Sequence, residues 1–99
     1  MKTFDYQRAE SVETAVKAAS EPGSVLYAGG TNLLDLMKAG VRQPDRLIDI
    51  TRIEGLDRIE TGKDGSLRIG AMVRNSDMAR HPTLLAEYPA VAEALLAGA

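Results

Sequence analysis

Polar and apolar residues alternate around Phe4 and Tyr6, which predicts a short edge strand near residues 3–7. Ser11 then stands where a helix can be capped, with Glu13 in the first turn complementing the dipole. Val12, Ala15, Val16 and Ala19 recur at the spacing of one helix face. Glu21-Pro22-Gly23 should end that helix, because Pro disfavours helix before it and Gly permits positive φ. The apolar run Ser24-Val25-Leu26-Tyr27 has strand character, and Ala28-Gly29-Gly30-Thr31-Asn32 breaks it. Leu33, Leu34, Leu36 and Met37 resume helical spacing up to a stop at Gly40.

Pro44 opens a new segment. Arg46 to Ile50 reads as a strand with one buried face, and Ile53 to Leu56 as a helical turn. Arg58 to Thr61 and Ser66 to Gly70 form a hairpin pattern around Lys63-Asp64-Gly65. Ser76 can cap a short helix running to Arg80, Thr83 to Glu87 give one more turn, and Pro89 suits the first turn of a last helix over 90–97. The order is β-α-β-α-β-β-β-α-α, an α+β or mixed α/β pattern. In the last helix Val91, Ala92, Ala94, Leu95 and Leu96 leave almost no polar face. Such a helix is normally covered, so further polypeptide or a partner is expected, and the chain reads as a fragment of something longer.

Composition narrows the class. The 99 residues, 44% hydrophobic and 26% charged, describe an ordinary globular domain or one lobe of a larger one. The net charge of -2 gives no reason to expect nucleic acid or an anionic membrane as partner. Without cysteine, no disulfide, thiolate nucleophile or Cys-ligated metal site can form from these residues, and no metal ligands are proposed. The first residues carry no apolar signal core, and no apolar run reaches the roughly 20 residues of a membrane span. A soluble protein is expected.

The glycine loop carries the candidate chemistry. It lies between a strand and a helix N-terminus, where unpaired amides and the helix dipole favour an anion. Gly29 and Gly30 let a phosphate approach the main chain, and Thr31 and Asn32 can donate to it or cap the helix. No lysine follows directly, which argues against a Walker-type loop, and the spaced glycines of a Rossmann fingerprint are missing. On these residues alone an ordinary turn, with Thr31 or Asn32 as N-cap, stands ahead of the anion site.

The wider context reverses that order. Leu26-Tyr27-Ala28-Gly29-Gly30-Thr31-Asn32-Leu33-Leu34-Asp35-Leu36-Met37-Lys38 resembles the first FAD-binding segment of the flavin subunits of xanthine dehydrogenases and aldehyde oxidoreductases. The similarity continues through Leu47-Ile48-Asp49-Ile50, Ile53-Glu54-Gly55-Leu56, Leu67-Arg68-Ile69-Gly70-Ala71, His81-Pro82 and Tyr88-Pro89 to the apolar last helix. It spans essentially all 99 residues and points towards bacterial molybdenum aldehyde oxidoreductases. The resemblance implies an FAD-binding fold of the vanillyl-alcohol oxidase (PCMH) type. Residues 1–99 would be its N-terminal lobe, a small mixed sheet with flanking helices. It implies that Leu26, Tyr27, Ala28, Gly29, Gly30, Thr31, Asn32 and Leu33 wrap the FAD pyrophosphate. A second glycine segment and the residues near the isoalloxazine ring would lie beyond Ala99, so no catalytic residue is expected here. It further implies a large subunit with the molybdenum cofactor that oxidises an aldehyde or related substrate. A small subunit would carry 2Fe-2S clusters, and FAD would pass electrons to an external acceptor. The compartment implied is the cytoplasm, or the periplasm by co-export with a partner subunit.

The remaining polar residues read more plainly. His81, the single histidine, suits a helix end or the surface rather than catalysis, since no nucleophile or orienting carboxylate accompanies it. Asp35 and Asp49 read as solvated or structural. The Leu33-Leu34-Leu36-Met37 stripe reads as core, and Arg74-Asn75-Ser76 as capping by Ser76 rather than a second anion contact. Tyr27 either flanks the cofactor or packs at the strand edge. Two rival functions remain. One is a non-enzymatic interaction domain that docks a partner through its apolar last helix. The other is a phosphate-metabolite enzyme, which lacks a visible acid, base or metal cluster.

Overall fold

The computed structural model describes residues 2–98, which divide into two compact units at Glu54 and Gly55. The first unit holds β1 (Asp5–Arg8), α1 (Val12–Ala19), β2 (Ser24–Tyr27), α2 (Thr31–Lys38) and β3 (Arg46–Asp49). Its sheet has the order β1-β3-β2, and both pairings are parallel. The last strand in sequence is therefore the central one. This explains a departure from the sequence pattern. Leu47, Ile48, Asp49 and Ile50 are all buried rather than alternating, because a central parallel strand is covered on both faces. The edge position expected near residues 3–7 is occupied by β1.

Parallel strands need crossovers, and right-handed ones send α1 and α2 to opposite faces of this sheet. The strand period places Tyr6, Arg8, Leu47, Asp49 and Tyr27 on one face with Leu34 of α2. Gln7 and Arg46 lie on the other, where they border Thr14, Lys17 and Ala18 of α1. On α1 the buried residues are Ala15 and Ala18, whereas Val12 and Val16 are exposed. The covered stripe is thus one step round from the expected face: small alanines let the helix lie close to the sheet, and the valines point away.

On α2, Met37 is fully buried, Leu33 and Leu34 are half-buried, and Leu36 is exposed. Gly40 ends it with φ +75°; the Gly40 amide donates to Met37 O at 3.1 Å and the Val41 amide to Leu36 O at 2.9 Å. This is a Schellman termination, and it requires the left-handed glycine.

The second unit pairs β4 (Ile59–Thr61) with β5 (Leu67–Ile69) antiparallel, followed by α3 (Asn75–Ala79), α4 (Pro82–Glu87) and α5 (Pro89–Gly98). The strands read as one small mixed sheet thus form a parallel three-stranded sheet and a separate hairpin. Residues 54–57 form turns rather than a helical turn. Ser76 lies inside α3; Arg74 is at the N-cap position and no side chain caps the helix there. Ala79, Leu84 and Ala92 are buried, and Leu67, Ile69, Met78, Leu84, Tyr88 and Val91 border an apolar groove of about 410 Å³. On α5 only Ala92 is buried, so the helix that the sequence marks as core shows Val91 and Leu96 to the outside.

Candidate functional site

The loop 28–30 leaves the carboxyl end of β2 and enters α2. Gly30 occupies the N-cap position with φ +79° and ψ -5°, a left-handed conformation that a side chain resists. The helical ladder begins with the Leu34 amide on Gly30 O at 2.9 Å. The amides of Gly30, Thr31, Asn32 and Leu33 therefore have no partner inside the helix. No side chain caps them, and the first turn holds no acidic residue. Thr31 and Asn32 are the first two helical residues and are exposed, so neither is the N-cap that the turn reading assigned.

The two glycines differ. A Cβ built at Gly29 meets nothing within 4 Å, so its side of the loop is open space. A Cβ at Gly30 falls 2.6 Å from Cε2 of Tyr27 and 3.0 Å from its hydroxyl oxygen. The Tyr27 ring is thus packed against the turn and braces the loop. Leu26, on the opposite face of β2, is 48% exposed. Ala28 and Leu33 are half-buried at the two ends of the loop.

Beside the loop, an open groove of about 460 Å³ lies over the sheet face that carries Tyr6, Arg8, Leu47, Asp49 and Tyr27, and reaches the carboxyl end of β3 at Asp49, Thr51 and Arg52. Phe4, Tyr6, Arg8, Tyr27, Leu34 and Asp49 are among its lining residues. The carboxyl edge of a parallel sheet, where successive helices leave for opposite faces, is where such folds bind ligands. Asp49 is 5% exposed at the end of β3. Its Oδ1 accepts from the Thr51 amide at 2.8 Å and the Thr51 hydroxyl at 2.6 Å, and its Oδ2 accepts from the Tyr6 hydroxyl. Burial pushes the Asp49 carboxyl up. The Thr51 hydroxyl, the Tyr6 hydroxyl, the Thr51 amide and the Arg8 charge together outweigh this and hold it below the ordinary aspartate range. The Tyr6 hydroxyl is raised, chiefly because it donates to Asp49. The proton stays on the tyrosine. Sequence reasoning left Asp49 undecided between solvated and structural. The signal was present: one carboxylate inside the apolar run Leu47-Ile48-Asp49-Ile50.

The other singled-out residues stay outside this site. Asp35 is exposed on α2. His81 follows the C-cap of α3 and is itself the N-cap of α4, so it meets the positive end of one helix as well as the negative end of another. Its Nδ1 is buried without a hydrogen-bond partner. Among the described residues no His/Asp/Glu group is arranged to hold a metal, and no helix is long and apolar enough to cross a membrane.

With this geometry in view, comparison with known proteins is decisive. The model of the FAD binding domain in molybdopterin dehydrogenase matches residues 2–99. The chain belongs to this family. It is 49% identical over its full length to the aldehyde oxidoreductase FAD-binding subunit PaoB of Escherichia coli (strain K12), of which it spans 31%. It is 42% identical over 92% of its length to the carbon monoxide dehydrogenase medium chain of Hydrogenophaga pseudoflava, of which it spans 32%. Among solved structures, a carbon monoxide dehydrogenase from Hydrogenophaga pseudoflava lacking the Mo-pyranopterin moiety superimposes with a TM-score of 0.82, at 37% identity over 93% of this chain and 32% of that one. Quinoline 2-oxidoreductase from Pseudomonas putida 86 superimposes with a TM-score of 0.81, at 28% identity over 96% of this chain and 34% of that one. The chain thus spans about a third of the length of these relatives and carries the fold of their FAD-binding domains. The residues present are compatible with such a cofactor: the space at Gly29 is open, Gly30 is left-handed, and no side chain caps the amides that follow.

Proposed function

We propose that this chain holds the pyrophosphate of FAD in the flavin-binding subunit of a molybdenum hydroxylase of the aldehyde or xanthine dehydrogenase kind. The observation that carries the assignment is the start of α2, where unpartnered amides follow a turn kept bare by Gly29 and Gly30. Main-chain donors there are fixed in direction before the ligand arrives, and the helix dipole adds partial positive charge. Leu26 to Leu33 are the contact segment. Thr31 and Asn32 side chains add exposed donors at the helix start. Bound FAD supplies the electron-transfer chemistry, and the chain binds and orients it.

The proposed partners are a large subunit with the molybdenum cofactor, acting on an aldehyde or related organic substrate, and a small subunit with 2Fe-2S clusters. The names of the relatives, an aldehyde oxidoreductase subunit and a carbon monoxide dehydrogenase medium chain, support such an assembly. Polypeptide outside these residues would then cover the apolar surface of α5. The proposed compartment is the cytoplasm, with co-export alongside a partner subunit as the route to the periplasm. Cell fractionation distinguishes the two.

Gly29→Val tests the cradle directly. Its Cβ meets no protein atom within 4 Å, so the fold should survive while the added methyls occupy the phosphate's approach. The Kd for FAD of the full-length protein should rise by about tenfold, a loss near 1.4 kcal/mol of binding, and the flavin content after purification should fall with it. Unchanged flavin content would remove the assignment.

A further inference from the structure

We infer that Asp49 is a positioning residue for the glycine cradle. By gripping Tyr6 and Thr51 at the carboxyl end of β3, its carboxylate fixes the strand end that anchors Tyr27 and thereby sets the Gly29–Gly30 turn. The inference rests on the cradle reading above and adds a residue outside the proposed contact segment 26–33.

The connections are short. Asp49 is the register partner of Arg8 in β1 and of Tyr27 in β2. Its carbonyl accepts the Ala9 amide at 2.9 Å, and the next residue, Ile50, donates its amide to the Tyr27 carbonyl at 3.0 Å. Tyr27 is the last strand residue before the loop, and its ring is the surface against which Gly30 packs. A shift at the end of β3 is therefore delivered to the loop twice, through the Tyr27 main chain and through its ring. The Asp49 carboxylate is what holds that end in place. Its bonds to the amide and hydroxyl of Thr51 turn the chain directly after Ile50, and the bond from Tyr6 ties in β1.

An apolar residue would satisfy a buried parallel strand without any desolvation cost. The carboxylate instead has its polar partners in place, and a satisfied network gives direction that packing alone does not. A diphosphate seat needs that direction, because each main-chain donor must lie within hydrogen-bond reach of an oxygen.

The test uses the full-length flavoprotein, titrating the apoprotein with FAD by flavin fluorescence and recording Tm beside each Kd. Asp49→Ala should raise the Kd for FAD by about tenfold. Asp49→Asn keeps an acceptor for Thr51 but offers Tyr6 none, so it should restore part of the affinity. Tyr6→Phe should weaken binding in the wild type and add nothing in Asp49→Ala. The control is Ser11→Ala, which removes the cap of α1, and so costs stability, at a helix start remote from the loop in sequence. It should lower Tm and leave the Kd unchanged. The inference is overturned if Asp49 variants lose Tm but bind FAD as tightly as Ser11→Ala does. If Asp49→Ala does not fold, Asp49→Asn and Tyr6→Phe decide by the same criterion. The Gly29→Val result separates the two levels. FAD loss there with intact binding in the Asp49 variants rejects only the positioning role. Retained FAD in Gly29→Val rejects the cradle itself.

Discussion

The N-terminus of α1 closes on itself. Ser11 Oγ accepts the Thr14 amide at 3.1 Å, and Glu13 sits in the first turn against the dipole. The N-terminus of α2, in the same unit and of the same eight-residue length, is left open: a left-handed glycine at the N-cap, no side-chain acceptor and no acidic residue in the first turn. A capped start stabilises its helix by about 1 kcal/mol. An open start forgoes that stabilisation and leaves its donors for something else. The difference teaches that two helix starts in one unit treat their unpaired amides in opposite ways: one is closed by its own side chain, and the other keeps the open amides that the proposed diphosphate seat requires.

The strongest way to break this contrast is Gly30→Val. A β-branched residue near φ +79° costs about 1–2 kcal/mol or more for the left-handed backbone. In addition its Cβ would lie 2.6 Å from the Tyr27 ring. Tm should fall and FAD binding should be nearly abolished, in contrast to Gly29→Val, where binding falls with little change in Tm. Wild-type flavin content in purified Gly30→Val would mean that the open amides are not the diphosphate's seat.

A smaller effect follows from acid. The Asp49 carboxyl is depressed in the folded state, chiefly by its hydrogen bonds prevailing over burial. Its contribution is present above the unfolded aspartate value of about 3.9 and is lost as pH falls through the lower folded value. Thermal unfolding followed downward from about pH 5 should show this loss, and Asp49→Asn should flatten the curve. Asp45 and Asp64 are also lowered, by Lys2 and by Ser66, but both are solvent-exposed. Asp64→Asn should therefore leave the acid limb nearly as it was. An acid limb unchanged by Asp49→Asn would show that this carboxylate does not hold the end of β3.

The smallest effect sharpens the contrast from the other side. Ser11→Ala should destabilise by about 1 kcal/mol in denaturant unfolding, with no change in FAD affinity. A flavin response to Ser11→Ala would show that the two helix starts are coupled rather than separate in role.

Much of this was legible along the chain. Strand Ser24–Tyr27, the helix after Gly30 with its stop at Gly40, the cap at Ser11 and the hairpin around Gly65 all follow from neighbours a few residues apart. Local signals of capping, turn geometry and period act over that range. The proposed contact segment, Leu26 to Leu33, rests on the resemblance to a family, because Gly-Gly before a helix is common in turns. The buried face of α1 was read one step off, since the valines that dominate a hydrophobic period are the residues left exposed. Ser76 was read as a cap, and the structure places it inside α3.

By itself, then, the sequence determined the order of elements from β1 to β5 and the glycine turn before α2, both set by backbone preferences within a few residues of chain. Tertiary structure alone decided that β3 lies between β1 and β2, so that Asp49, 43 residues from Tyr6, receives its hydroxyl and stands beside Tyr27. Strand order is a choice among long-range pairings, and no local pattern specifies which distant strand covers a given edge. The physical reason is that a strand's period marks which faces it buries, while its neighbours are fixed only when crossover helices and the sheet pack together.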